Sequence, residues 1–503
     1  MRVKSIILNF LSDFIPQLII AVISLFRTKI FLFQLGVDVT GLYQYFGQIM
    51  VYLSLVDGGL SSAINCRLFK PLVDKDHEKI NRILSAANFI FIGVAAIILI
   101  VGFGISYFIP SMIQNNPFSL GYIQVAFMIY LVSNVFNYLT VAHKALFESD
   151  QKKYVINMVY QPITIIRSLC EIAVLLLGGN LFMILLLQAV FGLVSNAVII
   201  IMTKKRYTFL NLRKKNKDYD MVKDVSNLMI YKIGSLISYN IDIVIITKVL
   251  GLASSALYSA YLLIINNLMD SIGKLTGATM GSIGDLISRD KEKSKTVFEE
   301  FNSFMFYLIA LLCVPLLLVL NNFITVWYEG KYVPTTFIAL FFVLNLSYYI
   351  LEIPLKVFTN AAGLFKETRI CPIIESIINL TLSLLLIHSF GIAGVLIATF
   401  ISYMVGNYAI KPRVIYKHLF ATSSFSYYRK NIYLISCTIV NFFLMYAIYQ
   451  VFSVTTISEW FLTSFFIFLI NALLVTIEFS ITKQLRFFKR VGFMNKYFGF
   501  LMR

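Results

Sequence analysis

Lysine and arginine fall almost entirely in every second gap between about fourteen apolar stretches of this 503-residue chain. That alternation constrains the fold more than any single motif. A helix crossing a ~30 Å hydrocarbon layer at 1.5 Å per residue needs roughly 20 apolar residues. Stretches of that length occur near 6 to 33, 42 to 65, 83 to 108, 119 to 142, 154 to 177, 181 to 202, 225 to 250 and 256 to 283. Six more follow near 301 to 326, 335 to 358, 370 to 388, 391 to 410, 431 to 452 and 457 to 480. The expected fold is therefore all-α, a polytopic membrane protein of about 14 transmembrane helices.

Basic loops stay in the cytoplasm. The N-terminus, the second, fourth, sixth, eighth, tenth and twelfth gaps and the C-terminal tail hold 35 of the 43 cations, while all the odd gaps together hold only Lys331. Both termini are expected in the cytoplasm, and the protein in the cytoplasmic (inner) membrane. The same distribution accounts for the +18 net charge without a nucleic-acid partner: these cations orient the spans and face anionic membrane lipids. The tail QLRFFKRVGFMNKYFGFLMR mixes five cations with aromatics, the composition of a segment lying in the interface plane.

Composition excludes several chemistries. Cys66, Cys170, Cys313, Cys371 and Cys437 stand singly, with no C-x-x-C, so neither a disulfide frame nor redox chemistry is supported. His77, His143, His388 and His418 lie far apart without ligand spacing, so no metal is expected. The longest inner loop, near 203 to 224, lacks both phosphate-binding glycine patterns. The outward gaps are about ten residues or fewer, too short for a catalytic domain. No cofactor and no enzymatic activity are expected.

The two halves of the chain echo each other. LFRTKIFLFQLGVDVTGLYQYF, from Leu25, aligns with YNIDIVIITKVLGLASSALYSAY, from Tyr239, at a shift that sets Leu35-Gly36 on Leu250-Gly251 and Arg27 on Asp242. A second echo sets Leu146-Phe147 against Leu364-Phe365. The organisation this implies is two parallel six-helix lobes plus two C-terminal helices. The N-terminal lobe covers 1–205 and a basic linker 206–224. The C-terminal lobe covers 225–410, and spans 13 and 14 with the interfacial tail cover 411–503. Parallel repeats are a recurrent plan in carriers. Arg27 and Asp242, at equivalent depths, either attract across a lumen between the lobes when it narrows or are each satisfied within their own lobe, Asp242 by Lys232 or Ser238 and Arg27 by Gln17 or Ser24.

Seven cations lie within spans: Arg27, Lys29, Arg167, Lys232, Lys248, Lys274 and Lys356, accompanied by Asp13, Asp57, Glu171, Asp242, Asp270, Glu352 and Glu375. A charge at the bilayer centre costs roughly 2.5 to 3.5 kcal/mol even on the mild insertion scale, so each should face protein or water. Helical phase groups Asp13, Gln17, Ser24, Arg27 and Thr28 on span 1 and Gln44, Gln48 and Tyr52 on span 2. It also groups Lys232, Ser235, Ser238, Tyr239 and Asp242 on span 7, and Asn266, Asn267, Asp270, Lys274 and Gly277 on span 8. These four spans are expected to line one cavity. Lys248 and Lys356 sit near span ends and are read as snorkelling to the interface. Arg167 and Glu171, at i and i+4, either pair with each other or serve the lumen.

The chain resembles the polysaccharide-type transporters, the oligosaccharide-repeat-unit flippases of the multidrug, oligosaccharidyl-lipid and polysaccharide exporter superfamily. The likeness rests on GLYQYFGQIMVYLSLVDGGLSSAINCRLFKPL around span 2, NIDIVIITKVLGLASSALYSAYLLI across spans 7 and 8, ITVWYEGKYVPTT after span 9, and AAGLFKETRICPIIESIINL leading into span 11. The resemblance implies two lobes around a cavity that opens alternately to either side. It also implies movement of a polyprenyl-pyrophosphate-linked glycan to the outer leaflet, in concert with polysaccharide-assembly proteins. Arg27, Arg167, Lys232 and Lys274 would neutralise the pyrophosphate, and Tyr52, Tyr239, Asn266 and Asn267 would stack against or hydrogen-bond sugars, with Asp242 and Asp270 beside them. A peptidoglycan-precursor flippase or a multidrug exporter of the same superfamily would share the fold. A membrane glycan polymerase is the reading from a different class.

The cation asymmetry predicts the labelling of single cysteines in a cysteine-free background: one at Asn115 should react with an impermeant maleimide added outside, and one at Asn216 should not. The opposite pattern would invert the topology.

Overall fold

The computed structural model is built of helices and describes residues 2–54, 60–212, 241–277, 283, 286–287, 290–330, 332 and 335–490. Twelve helices among the described residues are long and apolar enough to cross a membrane. They correspond one by one to twelve of the fourteen stretches read from the sequence. The other two, near 42 to 65 and 225 to 250, include 55–59 and 225–240, which lie outside the described residues, as do Asp57, Lys232, Tyr239, Lys331, residues 213–224 of the linker and the tail beyond 490.

By its internal packing the chain divides into Met1–Ser259 and Ala260–Arg503. The first unit contains α1 (Arg2–Leu35), α2 (Val37–Leu53), α3 (Leu60–Asp74), α4 (His77–Ser106), α5 (Leu120–Val135), α6 (Val141–Ser149), α7 (Lys153–Leu176), α8 (Leu181–Arg206), α9 (Asp242–Leu250) and the start of α10 (Leu252–Gly277). The division falls within α10 and not in the basic linker, because α9 packs on α2 and the chain after Gly251 passes very close to α2. A Cβ on Gly41 would stand 2.2 Å from the Leu252 carbonyl oxygen, an approach open only to glycine.

The Leu-Gly junctions found in the sequence have one geometry. Gly36 and Gly251 both take φ +86° with ψ of 172° and −179°, a conformation that favours glycine. Each accepts the first hydrogen bond of the following helix, from Thr40 N at 3.2 Å and Ser255 N at 3.3 Å. The second echo has no such counterpart: Leu146-Phe147 lies inside α6, whereas Leu364-Phe365 opens the single-turn α13 (Phe365–Thr368) after Gly363 at φ +68°.

Where α8 ends, the chain is strapped to its own unit. The Asn81 amide donates to the Phe209 carbonyl at 2.8 Å and its oxygen accepts from Asn211 N at 2.8 Å. Phe209 stacks on His77 at 3.9 Å, and the Tyr207 hydroxyl donates to Asp150 at 2.7 Å. Burial and the adjacent Asp150 carboxylate hold the Tyr207 phenol above its usual range, so it stays a donor.

The second unit continues with α11 (Lys291–Trp327), α12 (Thr336–Ala361), α13, α14 (Cys371–Phe390), α15 (Ile392–Tyr403), a π-helical turn Met404–Tyr408, α16 (Lys411–His418), α17 (Phe425–Tyr449) and α18 (Ile457–Ile481). The last two helices pack on α11 through Val314, Leu318, Val319, Met445 and Ile467. Pro315 interrupts α11 and frees the carbonyl four residues back, at Leu311. The buried Asn471 of α18 donates to that carbonyl at 3.2 Å and to Ala310 O at 3.0 Å, while its own oxygen accepts from Asn441 of α17 at 2.8 Å. Hydrocarbon offers no water to replace these bonds.

Asn471→Leu should therefore strand both the Leu311 carbonyl and the Asn441 amide. At about 1–3 kcal/mol for each buried group left unsatisfied, the detergent-purified variant should melt several degrees below the parent; an unchanged melting curve would show that the clamp contributes nothing.

Candidate functional site

α1 lies along α7, and this brings the polar stripe of span 1 against a second helix. Near one end Asp13 meets Lys153 at 3.9 Å, and the Asn157 amide donates to Ser12 at 3.2 Å. Deeper in, the Arg27 guanidinium donates to Glu171 at 2.8 Å, and Arg167 Nε approaches the other oxygen of the same carboxylate at 3.4 Å. Glu171 is 1% exposed, whereas the Arg27 and Arg167 side chains are 21% and 29% exposed. One buried anion thus holds two guanidiniums, leaving a local surplus of one positive charge. Coulomb attraction between such groups is strong where water is scarce, so Glu171 fixes both cations in place.

This arrangement bears on two readings of the sequence. Arg167 and Glu171 do pair at i, i+4. Arg27 is held by Glu171 across a sequence separation of 144 residues, and Asp242 accepts from the Tyr258 hydroxyl at 2.8 Å. Separate partners therefore take the place of an Arg27–Asp242 attraction, because α7, absent from the repeat alignment, supplies the nearer carboxylate.

Arg167 opens into a polar cleft with Asn134, Asn137, Tyr160 and Gln188. Asn134 and Asn137 also line a neighbouring cavity of about 370 Å³, bounded by Met50, Ser54, Tyr130, Tyr138 and Lys144. The two share those asparagines in their linings; Arg167 lines the first and Lys144 the second. The Lys144 ammonium sits 5.2 Å from the centre of the Tyr160 ring, a cation–π placement. Gln188 donates to the Tyr43 hydroxyl at 2.8 Å, and Tyr43 packs edge-on against Tyr130 at 5.7 Å. Aromatic faces, amides and fixed cations side by side suit a ligand carrying both sugar rings and phosphate.

The remaining sequence candidates are more dispersed. The Tyr52 hydroxyl, at the end of α2, is buried without a hydrogen-bond partner among the described residues. On α10, Asn266 and Asp270 are exposed, Lys274 is half-buried, and the Asn267 amide donates to Leu263 O at 2.7 Å. These four belong to the second unit. Lys232 and Tyr239 lie outside the described residues.

Two cations assigned to loops are inside the protein. Lys144 is half-buried and lines the cavity. Lys411 is 5% exposed and donates to Glu352 at 2.6 Å. Lys356, expected at the interface, also pairs with Glu352, at 2.7 Å, because the carboxylate one turn before it is 1% exposed and needs a counter-ion. Lys248 remains exposed and donates to the Ser111 carbonyl. Sequence reasoning missed Tyr130, Asn134 and Asn137, although their i, i+4, i+7 spacing on and just beyond α5 is a legible polar face.

These helices mark a multi-pass membrane protein, and its fold is similar to that of flippases and exporters of the MOP superfamily. The solved structure of the lipid II flippase MurJ in an inward closed conformation shares that fold over 95% of this chain and 99% of its own, with a TM-score of 0.71 at 16% identity. An inward-facing multidrug resistance MATE family transporter of the MOP superfamily matches over 78% of this chain and 94% of its own, with a TM-score of 0.60 at 14% identity. The MATE transporter VcmN of Vibrio cholerae matches over 84% and 99%, with a TM-score of 0.55 at 13% identity. No protein-family model and no curated protein matches the sequence.

Because Glu171 anchors two cations, Glu171→Ala should cost most, about 3–5 kcal/mol for a broken buried pair. Arg167→Gln should cost least, since Arg27 and Glu171 remain joined. Thermal denaturation of the two purified variants checks the order, and its reversal would remove Glu171 from the centre of the cluster.

Proposed function

We propose that this chain is a flippase that carries a polyprenyl-pyrophosphate-linked oligosaccharide from the cytoplasmic to the outer leaflet by alternating access, for assembly of a cell-surface polysaccharide. The observation that carries this reading is the pair of neighbouring polar cavities in the first unit, one lined by Arg167 and the other by Lys144, which share Asn134 and Asn137. A pyrophosphate head has no passage through hydrocarbon unless its charge is met. Arg167, already committed to one oxygen of Glu171 at 3.4 Å, keeps further N–H donors for it. The two lobes, 1–205 and 225–410, would enclose the lumen, with both termini in the cytoplasm. Arg27, Lys232, Lys274, Asp242 and Asp270 would set its charge, and Tyr52, Tyr239, Asn266 and Asn267 would meet the glycan. The prenyl tail stays in lipid.

The carrier neighbours support transport over a membrane glycan polymerase, the reading from another class. The extent of the MurJ match, against the shorter MATE matches, favours a lipid-linked substrate over a drug, as does the basic cavity. A peptidoglycan-precursor substrate is the second reading, favoured by that same neighbour.

In proteoliposomes, the chain should move a labelled polyprenyl-pyrophosphate oligosaccharide between leaflets, and Arg167→Gln should slow this about tenfold, the weight of one charge-assisted contact, at unchanged abundance. Faster movement of the peptidoglycan precursor than of any oligosaccharide substrate would establish the second reading.

A further inference from the structure

The second unit contains a cavity that the transport reading does not use. It measures about 370 Å³ and lies among the start of α11, the end of α16, the start of α17 and the residues after α18. All four are flanked by the basic loops or the tail. Its lining includes Glu299, Asn302, Ser426, Arg429, Lys430 and Tyr433.

The floor is an ordered amide relay. The Asn431 amide donates to the Tyr408 hydroxyl at 3.0 Å, and its oxygen accepts from the Asn302 amide at 2.7 Å. In this arrangement the Asn302 oxygen, on a residue 1% exposed, has no hydrogen-bond partner among the described residues. A buried acceptor of this kind wants a hydroxyl or another donor from whatever fills the cavity. Lys430 spends one donor on the Glu299 carbonyl at 3.2 Å, and the Glu299 carboxylate accepts from Tyr416 at 3.3 Å. With Arg429 and Lys430 against Glu299, the lining side chains have a surplus of one positive charge.

From this cavity the helix α17 runs away with a broad apolar face left open: Ile432 is 65% exposed, Val440 59% and Phe443 63%. A ligand with a polar head in the cavity and hydrocarbon chains along α17 satisfies both. We propose that this is a binding site for an anionic phospholipid of the phosphatidylglycerol type. Its phosphodiester sits on Arg429 and Lys430, and a headgroup hydroxyl donates to Asn302 Oδ1. A single phosphodiester charge balances the surplus, whereas a phosphomonoester, at about −1.5 to −2, overshoots it. Basic pockets between membrane helices commonly hold such headgroups. The site is independent of the transported substrate.

Native mass spectrometry of the full-length protein, titrated with phosphatidylglycerol or phosphatidylethanolamine, tests this. Phosphatidylglycerol should be retained preferentially. Arg429→Gln should reduce its adducts about three- to tenfold, as loss of a partly exposed charge-assisted contact predicts. Ser426→Glu, an exposed change that puts an anion at the rim, should do likewise without touching the relay. Lys417→Gln, an exposed cation beside the cavity but not in its lining, should leave the adducts unchanged, and free glycerol phosphate should not compete. Equal retention of both lipids, an equal loss in Lys417→Gln, or undiminished adducts in both lining variants would each overturn the proposal. Displacement by free glycerol phosphate would instead make this a site for a soluble phosphate ester.

Discussion

Carboxylates taken out of water dictate where the helices of this protein meet. Glu171 and Glu352 are each 1% exposed, and each is met by two cations: Arg27 and Arg167 for the first, Lys356 and Lys411 for the second. Removing an ion from water costs several kcal/mol even after the protein relaxes, so α7 is tied to α1, and α12 to α16, by the need to neutralise one oxygen pair. The balance at Glu171 is uneven: two cations on one anion leave that cluster positive. In a low-dielectric setting a surplus charge that is already positioned interacts with an arriving anion without reorganising first. The Glu171 cluster has this surplus beside a polar cleft; of the two cations on Glu352, Lys411 is sealed at 7% side-chain exposure and Lys356 is 36% exposed.

Backbone groups obey the same rule as side chains. Pro315 releases a carbonyl in α11, and Asn471 takes it. The π-helical turn at Met404–Tyr408 interrupts the ladder after α15, and the Asn407 amide within it donates to the buried Glu375. Such interruptions are tolerated in membrane helices where a neighbour re-satisfies the freed groups. Asparagine recurs in these places, at Asn302, Asn431, Asn441 and Asn471, all of them buried, because its amide both donates and accepts and carries no charge to neutralise.

The spans were legible because a 20-residue apolar run has almost no other stable use, and the Leu-Gly junctions were legible because φ +86° leaves a glycine signature at Gly36 and Gly251. Helical phase gave the face on which Arg27 lies but not the helix that face would meet; that depended on the packing of α1 along α7, which brings together residues 144 apart. Lys144 and Lys411 were counted as loop cations because they follow apolar runs, and their burial follows from tertiary partners, the Tyr160 ring and Glu352. The Arg27–Asp242 correspondence was correct as an alignment of positions and misleading as a contact, since equivalence under a repeat says nothing about which neighbour is nearer.

The types of cation around the first cavity bear on what it selects. Arg167 is held by its Nε, an edge contact at 3.4 Å, so its terminal nitrogens keep the planar fork that matches two phosphate oxygens. Lys144 is held by a ring face, which attracts the ammonium without consuming its three donors. Neither is locked into a hydrogen-bonded pair of the kind that seals Lys411. Asn134 and Asn137 line both the cleft of Arg167 and the cavity of Lys144, so under the proposed function a ligand that meets both cations also meets these amides. Charge alone would accept any phosphate. Under the proposed function, selectivity for a glycan-bearing phosphate would therefore rest on hydrogen bonds to Asn134 and Asn137 and not on the arginine.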